Sequence, residues 1–153
     1  MTNRKKSGII FYPKLNSFQA SISTTDINNI SVDINNLLKD ATNIYSNVIL
    51  KMRSILELNK KRRKENKIIQ ASSMWRFGDL IIKLVNELKG LNFETENLYG
   101  HLIRDLNVKT TTIKQSIIFR RYIPKREYIP EDLKWSDVRD HPRRYALKLI
   151  NGK

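Results

Sequence analysis

Leu106-Asn107-Val108-Lys109-Thr110-Thr111-Thr112-Ile113-Lys114-Gln115-Ser116-Ile117 joins two stretches of helical pattern through a change of direction. Ahead of it, the run from Asn97 to Leu106 puts Leu98, Leu102, Ile103 and Leu106 on one helical face. Asn107 interrupts that pattern, and Asn is one of the few non-glycine residues that enters the left-handed region cheaply. Thr110 or Thr111 is the expected N-cap of a second helix, because a threonine hydroxyl accepts from the amides of a first turn. In that helix Ile113, Ser116 and Ile117 face inward, while Thr111, Lys114, Gln115 and Ile118 face outward. The result is a pair of short helices joined by a tight turn, the second one polar at its exposed N-terminal end.

Over about residues 97–120 this stretch resembles the turn and recognition helix of the helix-turn-helix family of DNA-binding proteins. The family pattern runs Leu-Gly-Val, four polar residues, an aliphatic, two polar residues, then a small or aliphatic pair. Leu106, Val108 and Ile113 match its buried positions, and Asn107 stands where the family prefers Gly. There are two departures: Ile103 replaces a usual Ala, and Ser116 replaces a usual aliphatic. The small Ser116 is expected to make room for Ile103. The resemblance implies that Lys109, Thr110, Thr111, Thr112, Lys114 and Gln115 meet DNA, with Arg120 and Arg121 following on its backbone. The competing reading is a pair of core helices with no DNA role.

Composition bears on that choice. The chain has 153 residues, 40% of them hydrophobic, enough for one domain with a core and an arm. Its formal charge of +14 predicts attraction to a polyanion. Residues 1–31 carry four basic and one acidic group, residues 32–67 nine and four, residues 68–108 four and five, and residues 109–153 twelve and five. The centre is thus near neutral, and the excess of cations resumes where the second helix begins. Cysteine is absent, which excludes disulfides, thiolate catalysis and cysteine-ligated zinc. No apolar run approaches the roughly 18 residues of a membrane span, and Ile9 to Tyr12 is too short for a signal peptide core. A cytoplasmic, nucleoid-associated protein is expected, or a virion component. The abundance of Ile, Asn and Lys, whose codons are A/T-rich, suggests a plasmid, viral or other AT-rich microbial source.

The expected fold is all-α: a multi-helix domain with a long N-terminal helix, a helix-turn-helix and a flexible basic N-terminal arm. Residues 1–31 form the arm, rich in Ser, Thr and Asn, with Arg4, Lys5 and Lys6 at its tip. It reads as a minor-groove or backbone-following arm, or as a plain disordered terminus. Residues 32–67 form the long helix, with Asp33 favouring its N-terminal end. Ile34, Ala41, Val48 and Ile55 recur every seven residues, flanked by the rows Leu37, Ile44, Leu58 and Leu38, Tyr45, Met52. Such a helix exceeds what a small domain covers, so a homodimer through it is expected. Its end carries Lys60, Lys61, Arg62 and Arg63, which either solvate the helix end or bind phosphates.

Residues 68–153 form the helix-turn-helix domain with a basic extension. Its first helix runs from Met74 to Lys89, capped by Ser72 or Ser73 and stopped by Gly90, with Trp75 and Phe77 in the core. Glu94, Thr95 and Glu96 open the next helix. After the recognition helix, Phe119 to Pro130 interleaves basic and aromatic residues in a loop suited to a wing. Pro130, Glu131 and Asp132 start a short helix through Trp135; Pro142 starts another, with Tyr145, Leu147 and Ile150 turned inward. The order Trp75, Gly78, Tyr99-Gly100, Leu133-Lys134-Trp135-Ser136 also resembles a helical DNA-binding region fused to some bacterial nucleases. Catalysis is not expected. Asp132-Leu133-Lys134 has the acid-x-Lys form of metal-dependent nucleases but lacks an evident acidic partner. His101 and His141 are the only histidines, and no Gly-rich phosphate loop is present. No cofactor, metal or small-molecule ligand is expected, and DNA is the expected partner. Two functions fit: a dimeric regulator or maintenance factor of a mobile element that recognises a DNA site, or a structural protein that coats DNA.

Overall fold

A computed structural model describes residues 9–14, 17–22 and 34–151. In chain order these form β1 (Ile9–Lys14), β2 (Ser17–Ile22), α1 (Ile34–Lys64), α2 (Ala71–Gly90), β3 (Phe93–Glu94), α3 (Leu98–Leu106), α4 (Thr110–Tyr122), α5 (Trp135–Val138) and α6 (Pro142–Asn151). The molecule is mostly helical. Part of the stretch expected as an arm is strand. β1 pairs antiparallel with β2, and at Ile9 and Ile10 it runs parallel to the short β3. The basic tip at residues 4–6 and Asp33 lie outside the described residues.

Most of the apolar rows of α1 are covered within the chain, whereas Leu58 of the second row is 50% exposed. Ala41, Tyr45, Val48, Ile49, Met52 and Ile55 are all buried within the chain, in one core with α2, α3 and α4. Several elements of the same chain share the covering of α1. Ser73 and Met74 of α2 meet Asn59 near its C-terminal end, and Asp105 of α3 meets its middle. At that middle, the Tyr45 hydroxyl donates to the Asp105 carboxylate and Arg53 donates to the Asp105 carbonyl at 3.2 Å. Burial first, and then the neighbouring carboxylate, push the Tyr45 phenol far above its ordinary range.

Asparagine ends the helices. Asn66, Asn92 and Asn107 are the non-glycine residues with positive φ among those described, and they follow α1, α2 and α3 respectively. After α1, Lys67 N–H donates to Arg62 and Asn66 N–H to Arg63, the paired bonds of a Schellman motif around a left-handed residue. Gly90 is therefore not the stop of α2; that helix includes it and turns at Asn92. Ser72 and Ser73 do not cap α2 either, since the N-cap is Gln70 and Ser73 donates instead to Asn59 at 3.2 Å. Glu94 belongs to β3 and Glu96 precedes α3, so the acids stand ahead of that helix rather than in its first turn.

Residues 123–134 connect α4 to α5 without a helix of α type. A single 3-10 turn occupies Arg126–Tyr128, and Ile123 and Ile129 pin the segment to the core. The helix expected from Pro130 starts only at Trp135, because backbone bonds at Ile69 and Ala71 hold residues 133–135 against the start of α2. In α6 the expected burial is also corrected: Pro142 and Ala146 are buried, Tyr145 is half-buried, and Leu147 and Ile150 are exposed.

Candidate nucleic-acid interface

The turn between α3 and α4 is made by Asn107, Val108 and Lys109. Asn107 takes φ 55° and ψ 50°, the left-handed conformation expected of it. This reverses the chain while Val108 N–H closes back on Ile103 at 3.2 Å. Lys109, not a threonine, is the N-cap of α4, with extended backbone and no side-chain cap bond. Its carbonyl accepts from Thr112 and Ile113, so the hydroxyls of Thr110 and Thr111 are not used for capping.

Ile113, Ser116, Ile117 and Phe119 form the buried face of α4. Ser116 is fully buried, and its backbone carbonyl lies against Gly78 of α2. A Cβ on Gly78 would fall on the Ser116 carbonyl and within 3.2 Å of the Arg120 Cβ. Small residues on both helices therefore let α2 and α4 approach backbone to backbone. The contact is reinforced by Trp75, whose indole donates to the Ile123 carbonyl at 2.9 Å. The Phe119 ring lies 5.7 Å from Trp135, tilted at 60°, as edge-favouring aromatic pairs do.

Arg120 serves this interior. Its guanidinium donates to Asp79 at 2.7 Å and lies 4.8 Å above the Trp75 ring. Burial alone would raise the Asp79 carboxyl, but hydrogen bonds from Arg120 and Lys83 outweigh it and hold the carboxyl below its ordinary value. Arg62 is likewise engaged, donating to the Ile68 carbonyl at 2.7 Å in the α1–α2 turn. Both side chains are half-buried.

The remaining expected residues are accessible. Lys109, Thr110, Thr111, Lys114 and Arg121 are exposed, and Thr112 and Gln115 are half-buried along the edge of the same face. No acidic residue occurs in α4. Lys60, Lys61 and Arg63 are exposed too, but they sit elsewhere. The end of α1 meets the start of α2 through Asn59 and Ser73, and Trp75, one turn into α2, meets Ile123, just past α4. α4 itself is about 20 Å long from its first turn to that end.

Arg143, Arg144 and Lys148 of α6 are exposed cations that were not assigned to a site from the sequence. Arg143 reaches back to lie 5.5 Å above the ring of Tyr122 in α4. Their signal was the absence of any acid in α6, hidden by reading Leu147 and Ile150 as core. Among the described residues, no helix is long and apolar enough to cross a membrane. No family model, curated protein or solved structure matches the chain.

Proposed function

We propose that this chain binds duplex DNA through α3, the Asn107 turn and α4, acting as a helix-turn-helix reader that recognises a site. One observation carries the reading: α4 leaves a tight left-handed turn with its inner face locked onto α2, and its outer face offers Thr111, Lys114 and Gln115 without a single acid. A rigidly seated helix with polar, cationic side chains at its exposed start suits a major groove. Gln can pair with adenine and Lys with guanine there. Lys60, Lys61 and Arg63, at the end of α1, supply sequence-independent attraction. Arg120 is ion-paired with Asp79 and Arg62 bonds the Ile68 carbonyl through Nε, so the exposed cations are given the larger share of the interface.

The test begins with selection of a preferred site from a pool of random-sequence duplexes. Gln115→Ala should weaken binding to that site by about 1–3 kcal/mol and leave scrambled DNA nearly unaffected. The triple alanine variant of Lys60, Lys61 and Arg63 should weaken both alike, since phosphate contacts carry no sequence information. If no site enriches, and Gln115→Ala changes both affinities equally or neither, the chain coats DNA rather than reads it.

A further inference from the structure

The face shared by α4 and α6 has a composition that DNA recognition leaves unexplained. Ile118 and Tyr122 are one turn apart on α4 and are 36% and 38% exposed. Leu147 and Ile150, on the row of α6 that begins at Arg143, are 39% and 36% exposed. The two rows meet where the Arg143 guanidinium lies over the Tyr122 ring. Arg121 is exposed one turn from Ile118, Arg143 and Arg144 are exposed at the start of the α6 row, and neither helix contains an acid. The surface is therefore apolar, with cations beside it and no acid on either helix.

We propose that this surface is a docking site for an acidic amphipathic segment of another protein, separate from the DNA-reading start of α4. The charge pattern selects the occupant. A second copy would bring like charges together around the apolar centre. Duplex DNA would satisfy the cations but would leave Leu147 and Ile150 against phosphate and sugar. A helix with apolar residues at i, i+3 or i+4 and acids on its flanks satisfies both at once. Arg and Tyr, paired here at the junction, are also the residue types that concentrate binding energy at protein interfaces.

The experiment is selection of a displayed library of random peptides, each long enough for several helical turns, on the full chain. Expected winners combine acids with apolar residues at helical spacing. Fluorescence anisotropy of a labelled winner should then show at least about tenfold weaker binding to the Leu147→Ser/Ile150→Ser variant. Arg144→Glu, one turn from Leu147, keeps the apolar centre and should weaken it as well. Binding of mixed-sequence duplex DNA to the double serine variant should stay within about twofold of the parent. Winners without acids, or winners that bind the double serine variant as well as the parent, overturn the proposal. So does displacement of the peptide by phosphatidylserine vesicles, which would make the face a membrane surface. Equal loss of DNA binding would assign the face to DNA instead, and a failure of the chain to bind DNA at all would leave this docking site standing while removing the DNA-reading function.

Discussion

Gly78 and Asp79 are adjacent in sequence and hold α4 in two different ways. At Gly78 the constraint is space: a methyl group there meets the carbonyl of Ser116, and backbone cannot rotate away as a side chain can. Gly78→Ala should therefore lower stability by about 1–3 kcal/mol, seen as a fall in thermal midpoint. Gly100 is the contrast, exposed in α3 with nothing within 4 Å of a new Cβ. Gly100→Ala should stabilise by about 0.5–1 kcal/mol through helix propensity alone. Equal effects at the two sites would remove the close α2–α4 approach from the account. At Asp79 the constraint is charge. Its carboxyl is held below the ordinary value, so its contribution is present above the unfolded aspartate pKa of about 3.9 and is lost as pH falls through the lower folded value. Urea midpoints measured downward from about pH 5 should drop more steeply for the parent than for Asp79→Asn. Parallel acid slopes would contradict this. Asn107 shows what a residue can disclose in advance: its left-handed turn was legible because few side chains tolerate that conformation. That neither Thr110 nor Ser72 caps its helix was not, because a hydroxyl's partner depends on where the neighbouring backbone lies.

Among the elements, α1 best separates what a pattern fixes from what it leaves open. Its seven-residue spacing correctly marked Ala41, Val48 and Ile55 as buried, with Tyr45 and Met52 beside them. Periodicity says that a face is covered, not by what, and here the rest of the same chain covers it. Val48→Asp should accordingly unfold the protein, at a loss of at least about 3 kcal/mol in urea titration, rather than release folded monomers. Leu50, 61% exposed on the other side of the helix, provides the control, and Leu50→Asp should shift stability by no more than about 0.5 kcal/mol. A folded, monomeric Val48→Asp protein by light scattering would restore the dimer through this row. The same gap explains α6. Tyr145, Leu147 and Ile150 look alike in a helical pattern, yet only contact with α4 decides that Ala146 lies beneath and Leu147 outside.

For the molecule as a whole, the uneven charge was legible because counting it requires no geometry, and so was the helical class. The joining of α1 to α3 through Tyr45 and Asp105, and the use of Arg120 and Arg62 as internal donors, depend on long-range packing that single-sequence spacing does not contain. This bears on binding: among the cations that make up the net charge of +14, Arg120 already faces a carboxylate inside the chain. If six or more phosphates are still neutralised, affinity for duplex DNA should fall by about 10³ between about 50 and 200 mM salt. Arg62→Lys should leave that slope unchanged, whereas the triple alanine variant of Lys60, Lys61 and Arg63 should reduce it by about two to three. A flat titration would end the nucleic-acid reading.

The chain has two tryptophans, and both touch the segment around α4: Trp75 donates to Ile123 beneath the Arg120 guanidinium, and Trp135 packs against Phe119. The chain thus carries its own fluorophores against the packed face of α4. A nearby cation and a lone hydrogen bond make indole emission sensitive to small displacements. A spectrum of the unlabelled protein therefore reports whether α4 is seated, and whether an occupant of its outer face shifts it.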